Sequence, residues 1–214
     1  MKIGILGTGE VGQSLAKGLI GLGHEVMIGS REAKGEKLTA AIAKVGRGAH
    51  GGTFAEAAAF GEMVALCCLG VAIESVLGLA GAKNLEGKVL IDATNPLDFS
   101  RGFPPRLASM EDGSAGQMVQ RLAAGARVVK AFNTAGNASY VNPSYEGGPP
   151  DMFICGNDDR AKAAVAEIIK GFGWGVIDVG GIDASHYLEA MCIVWVLHGA
   201  RSGQWGHAFK MLHA

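Results

Sequence analysis

Strand-length apolar runs alternate with helix-length amphipathic stretches from the first residue onward. Residues 2–6 form a short β-type run, and 10–22 show helical spacing through Val11, Leu15, Leu19 and Leu22. A second run at 25–28 precedes an Ala-rich helical stretch at 34–45. A strand piece at 49–53 then leads into a brief helix at 54–59. Residues 63–69 are continuously apolar, as in a strand covered on both faces. The next helix and strand are expected at 72–80 and 88–93. From Thr94 to Gly113 the periodicity fails and Pro96, Pro104 and Pro105 appear, which predicts a long loop of the kind that often carries function.

The alternation then resumes, with a helix at 115–124 and a strand at 128–132 that stops at Asn133. Residues 137–145 read as a short irregular element, 151–155 as a strand, and 158–172 as a helix with Asp158 at its N-cap. The last strand is expected at 176–179. Residues 184–212 carry a helical pattern broken around 199–206. Repeated βα units with short connections predict an α/β fold with a doubly wound, mainly parallel sheet.

Composition narrows the class. Hydrophobic residues make up 49% of the 214 and charged residues 18%, which supplies a core and excludes intrinsic disorder. A net charge of −1 argues against nucleic acid as a partner. Glycine, at 34 residues, is in excess and without a collagen period, so it is expected at turns and tight packing points. No run reaches the roughly 18 apolar residues of a membrane span, and the start lacks the features of a signal peptide. Cys67, Cys68, Cys155 and Cys192 show no metal-ligand spacing and are expected to be buried reduced thiols. These features lead us to expect a cytoplasmic protein with no membrane segment and no metal.

The chemistry begins at Gly7-Thr8-Gly9-Glu10-Val11-Gly12, a GxGxxG that follows a strand and opens a helix. Gly7 allows the tight turn, Gly9 lets a pyrophosphate approach the backbone, and Gly12 lets helix and strand pack closely. The N–H groups at the helix start then face the phosphates. This context makes the fold Rossmann-type. At the end of the second strand stands Gly29-Ser30-Arg31, with no carboxylate at the tip. Arg31 can give planar, charge-assisted donors to a 2′-phosphate, Ser30 a hydroxyl, and Lys34 further charge. Glu32 follows and leaves NAD open, although its expected place is the cap of the next helix. Leu69-Gly70, Asn95-Pro96 and Asn133-Thr134, at the ends of further strands, are candidates for the nicotinamide; such pairs are also common turn formers.

The strand-plus-GTGEVG start, Gly29-Ser30-Arg31, Ala93-Thr94-Asn95-Pro96, Lys130-Ala131-Phe132-Asn133-Thr134 and Cys155-Gly156-Asn157-Asp158 occur in this order over residues 1–180. Together they resemble the coenzyme F-420-dependent NADP oxidoreductase family and its relatives, the oxidoreductase domains of six-transmembrane (STEAP) metalloreductases. The last two stretches are closer to the metalloreductase branch. The resemblance implies NADP(H) across the glycine turn, with its 2′-phosphate at Ser30 and Arg31 and its nicotinamide near Asn95, Asn133 and Thr134. It also implies a flavin or deazaflavin F-420 as hydride partner, so that orientation of two rings is the protein's main contribution. The F-420 enzymes carry a His at the position of Asn133. The metalloreductases add a membrane domain with haem, so ferric reduction by this chain would use free flavin as a shuttle. The expected organisation is an NAD(P)-binding domain at 1–135 and, at 136–214, a small α/β and helical extension. That extension continues the sheet and supplies an acceptor pocket and the face of a homodimer.

No catalytic residue stands out. His186, at the start of the C-terminal helical segment, is a candidate donor to the acceptor ring. His198, His207 and His213 lie near Trp195, Trp205 and Phe209 without the spacing of a metal site, and core packing or a dimer face is expected of those aromatics. Two other functions compete. An imine or β-hydroxyacid-type reductase would need a proton donor, usually a Lys or acid on a long helix after the Rossmann domain; Lys130 falls inside a strand, and the helix from Ala184 lacks an early Lys. A dinucleotide-binding sensor without turnover would need no such group.

Overall fold

The computed structural model describes residues 1–212; His213 lies outside the described residues. The chain opens with β1 (Lys2–Leu6), α1 (Glu10–Gly21), β2 (Glu25–Ser30), α2 (Glu36–Val45), β3 (Ala49–Thr53), α3 (Phe54–Phe60) and β4 (Met63–Leu66). Next come α4 (Ile73–Ala80), the single turn α5 (Ala82–Leu85), β5 (Val89–Asp92) and a small hairpin of β6 (Leu97–Asp98) and β7 (Arg106–Leu107). It continues through α6 (Ala115–Leu122), β8 (Arg127–Lys130), β9 (Asp151–Gly156), α7 (Asp159–Gly171), β10 (Gly175–Asp178) and α8 (Ser185–Ser202).

Among the described residues eight strands form one sheet in the order β10-β9-β8-β5-β4-β1-β2-β3. The six from β3 to β8 are parallel, β9 runs antiparallel to β8, and β10 follows β9. Side chains alternate across this doubly covered sheet. Ile3, Ile5, Ile91, Val129 and Ile154 pack with Leu15 and Leu19 of α1, Leu38 of α2 and Val165 and Ile169 of α7. Leu6, Leu90, Val128 and Cys155 pack with Ala57 of α3, Ile73 of α4, Val119 of α6 and Leu188 of α8. The chain winds outward from β1 to β3 and returns to place β4 beside β1. The switch point of the sheet therefore lies between β1 and β4, where the carboxyl ends open a crevice.

Four expectations need correction. The segment at 94–113 holds the β6–β7 hairpin; strands of two residues are too short to show a period, and Pro104 and Pro105 lie within its turn. The break expected around 199–206 begins only after Ser202, and the helix expected to resume beyond it does not form. Gly203, in the left-handed region, ends α8, and an extended tail follows. Its Phe209 carbonyl accepts from Asp151 N–H at 2.9 Å, and its Met211 N–H donates to Asp151 Oδ2 at 2.8 Å. Glu32 caps nothing: α2 starts at Glu36, with Gly35 at its N-cap. Trp195, expected in core packing or a dimer face, lines a pocket, as shown below. Asp158 does cap α7, accepting from Ala161 N–H at 2.7 Å. The four cysteines are free thiols, three of them buried. No helix among the described residues is long and apolar enough to cross a membrane.

Candidate functional site

The crevice at the switch point is a cleft of about 780 Å³, walled by Gly7–Val11 after β1, Ser30–Glu32 after β2 and Cys67–Leu69 after β4. The three glycines of the turn divide the work. A Cβ on Gly7, at φ +146°, would collide with the Cys67 carbonyl, and one on Gly12 would lie 2.5 Å from Gly7 O. Both glycines therefore bring backbone against backbone. A Cβ on Gly9 would meet no protein atom within 4 Å, so the space above it is open. No side chain caps α1, whose first N–H groups are left for an anion. Gln13 Nε2 braces the turn by donating to Thr8 O at 2.7 Å. Gly9→Ala is thus expected to weaken dinucleotide binding with no loss of apo-protein melting temperature; normal binding would make the turn purely structural.

At the β2 end, Arg31 is exposed and lines the cleft. Ser30 is less available than the sequence suggests, because its hydroxyl donates to Glu32 O at 2.6 Å and accepts from Glu32 N–H. Lys34 is exposed but is not on the cleft wall. Lys37, in the first turn of α2, lines the cleft instead. Glu10, Glu32 and Glu36 also line it, so both cations stand among carboxylates.

Beside the cleft a smaller pocket of about 170 Å³ opens against α8, and the two share Val11, Ala93 and Asn137. Asn95, Asn133 and Thr134 all line it, as expected. Asn95 Nδ2 donates to Asn133 O and Asn133 Nδ2 donates to Asn95 Oδ1, each at 3.0 Å, which fixes both amides. Asn133 Oδ1 is then buried without a partner, the only such side-chain atom among the described residues. Phe132, at φ +63° and fully buried, turns the chain just before Asn133, and Tyr140 donates its hydroxyl to the Phe132 carbonyl. A strained, buried aromatic beside an unpaired acceptor is typical of a binding site. Burial pushes Tyr140 well above its usual range and the Cys192 thiol up to about 11.

Gly70 and Pro96 do not line the pocket. Gly70 packs there instead, where a Cβ would lie 2.6 Å from Asn95 O. His186 lies in a separate concavity with Gly113, Gln117 and Asp183, its Nδ1 2.7 Å from Asp183 O. The α8 residues that reach the pocket are Cys192, Trp195 and Val196, two turns further on. Their i, i+3, i+4 spacing was legible, but the apolar run around them hid which face was the functional one. Trp195 is held by the tail: its Nε1 donates to His207 O at 2.8 Å and its ring stacks on His207 at 4.6 Å. His207 and His198 serve this packing, and no metal cluster is present among the described residues.

The open glycine turn thus lies on one crevice with the exposed Arg31 cation, and the adjoining pocket holds the paired amides. That layout belongs to the Rossmann-type, dinucleotide-dependent oxidoreductases. The family model described as "NADP oxidoreductase coenzyme F420-dependent" matches residues 2–96. The F420-dependent NADP reductase of Methanothermobacter marburgensis is 35% identical over 207 residues, covering 88% of each chain. A crystal structure from Arthrobacter sp. FB24, provisionally described as an F420-dependent NADP-reductase, superposes with a TM-score of 0.92 at 38% identity over all of both chains. The metalloreductase STEAP3 of Rattus norvegicus is 30% identical over 89% of this chain, which spans only 36% of that protein. The chain belongs to the F420-dependent NADP oxidoreductase family and is an NADP-dependent oxidoreductase.

Proposed function

We propose that this protein passes a hydride between NADP(H) and a flat tricyclic acceptor, F-420, FMN or FAD, at the Asn133 pocket. The nicotinamide, when bound, supplies the hydride chemistry. The protein binds, orients and excludes water. Gly7–Gly12 takes the pyrophosphate, Arg31 and Lys37 take the 2′-phosphate, and Asn133 Oδ1 accepts from the carboxamide. Trp195 and Val196 wall the ring.

The observation that carries this reading is the chemistry of the pocket lining. It contains no Asp, Glu, Lys or His, its tyrosine is committed to Phe132, and its thiol is pushed far above neutrality. A carbonyl or imine acceptor would need a proton donor in place. A tricyclic acceptor open on one side can take its proton from solvent, and two rings held in register need little else. Steady-state NADPH oxidation against FMN, FAD, F-420 and ferric chelates, with and without flavin, tests the proposal. Turnover with at least one tricyclic acceptor is expected. Tight NADPH binding without turnover on any of them would mark a sensor, and ferric reduction only with added flavin would mark a flavin shuttle.

The same reading includes a homodimer. Leu197 of α8 shares a shallow concavity with Phe103 and Leu107, Trp205 lies beside Phe103, and these four side chains are exposed and apolar. A two-fold pairing covers such a face, as is usual for large apolar patches. Light scattering through micromolar dilution is expected to give twice the 22.0 kDa chain mass; an active monomer would contradict it.

A further inference from the structure

Beneath the pocket lies a cluster of charges that cofactor binding leaves without a task. Lys130 is fully buried, its Nζ 3.0 Å from Asp92 Oδ2 and 2.8 Å from Glu189 Oε1, and both carboxylates are buried as well. Glu189 also accepts from the N–H groups of Ala115 at 3.2 Å and Gly116 at 3.0 Å, the first residues of α6. Asp92 Oδ1 accepts from Thr94 N–H at 2.9 Å and from its hydroxyl at 2.7 Å. Two carboxylates on one ammonium leave a negative charge in excess, which the positive end of α6 offsets.

Replacing a buried ion cluster by apolar groups of similar volume is often neutral or stabilising, so stability alone does not account for it. The geometry it imposes is specific. Asp92 ends β5, and Ala93 and Asn95 of the pocket follow it. Lys130 ends β8, and Phe132 and Asn133 follow it. Glu189 lies on α8 one turn before Cys192 and about two turns before Val196. Three of the segments that line the pocket are thus each rooted in one of the three charges, and Val11 with residues 135–137 and Tyr140 completes the lining.

We propose that Lys130, Asp92 and Glu189 together set the spacing of the pocket walls, with Glu189 as the positioning residue that fixes α8 over the sheet. The inference rests on the reading that this pocket receives the nicotinamide. Asp92 acts through Thr94, which leads into Asn95, and Asn95 in turn holds Asn133. A shift of α8 or of the β5 end therefore reaches the unpaired Asn133 Oδ1. None of the three charged residues lines the pocket.

Glu189→Gln tests this on the full chain. It is isosteric, keeps an oxygen for one of the two α6 N–H groups, which bond different oxygens of Glu189, and removes the charge that faces Lys130. The readouts are the emission of bound NADPH, the affinity for 2′-phospho-ADP-ribose, which lacks the nicotinamide, and the split between kcat and KM. The nicotinamide-free fragment should bind as to wild type. Bound NADPH should move toward the emission of the free nucleotide, and kcat should fall about ten- to hundredfold with little change in KM for NADPH. Thr94→Val carries the same test from the β5 side should Glu189→Gln fail to fold, and the same direction of change is expected. Wild-type emission and kcat in the folded variants would overturn the proposal. An equal loss of affinity for fragment and NADPH would also overturn it, by assigning the cluster to general folding. A wild-type protein whose NADPH emission does not change on binding would refute the pocket reading itself, a separate result.

Discussion

Lys130→Met is expected to lower the free energy of unfolding by about 3–5 kcal/mol, because it leaves Asp92 and Glu189 buried without their cation. For a chain of this length that is a fall in Tm of about 6–20 °C. Met fills nearly the same volume, so the loss reports charge rather than a cavity. The pH dependence has a definite sign. Burial pulls the Lys130 ammonium down, but Asp92 and Glu189 more than offset this and hold it above its ordinary 10.5. A raised pKa stabilises fully below the unfolded value and loses that contribution only as pH rises through the folded one. The Tm gap between wild type and variant should therefore stay flat across the neutral and mildly alkaline range and narrow only above it. Thermal unfolding followed by circular dichroism at several pH values checks this; a gap that closes near neutrality would mean Lys130 is not the charged partner of the cluster.

NADPH is expected to bind wild type about ten- to hundredfold more tightly than NADH, and Arg31→Ala to erase most of that preference. Arg31 and Lys37 must outweigh Glu32 and Glu36 on the same wall, so the net attraction is set by a few charges close together. Because Arg31 is exposed, added salt should shrink the NADPH preference while leaving NADH binding less affected. Calorimetry with both nucleotides at low and high salt measures each expectation. Equal affinities in wild type, or an undiminished preference in Arg31→Ala, would remove the 2′-phosphate from this end of the cleft.

Much of this architecture could be read from the sequence because its signals are local. The alternation at Ile3 and Ile5 against Leu6, the GTGEVG turn and the cation after Ser30 each depend on a few adjacent residues. The nicotinamide end was half legible: Asn95 and Asn133 stand at strand ends, where a switch-point ligand belongs. What escaped was long-range. Glu189 is one acid on an 18-residue helix, and nothing in its neighbours marks it as buried. Lys130 gave the better clue, since a cation between Val129 and Ala131 in a covered strand has to find carboxylates, yet which ones depends on how α8 folds back. The same folding-back puts Trp195, not His186, at the pocket. Lys37 replaces Lys34 because α2 begins two residues later than its Ala-rich pattern suggested.

The central claim, direct hydride transfer between two rings held at the Asn133 pocket, is tested most directly with NADPH deuterated on one face of the nicotinamide. A deazaflavin is the informative acceptor, because its ring takes the hydride on carbon, where the label does not exchange with water. Deuterium retained in the reduced deazaflavin from one face of NADPH, and absent when the other face is labelled, is the predicted result. Reduced acceptor without label from either face, or no oxidation of NADPH by any tricyclic acceptor, would contradict it.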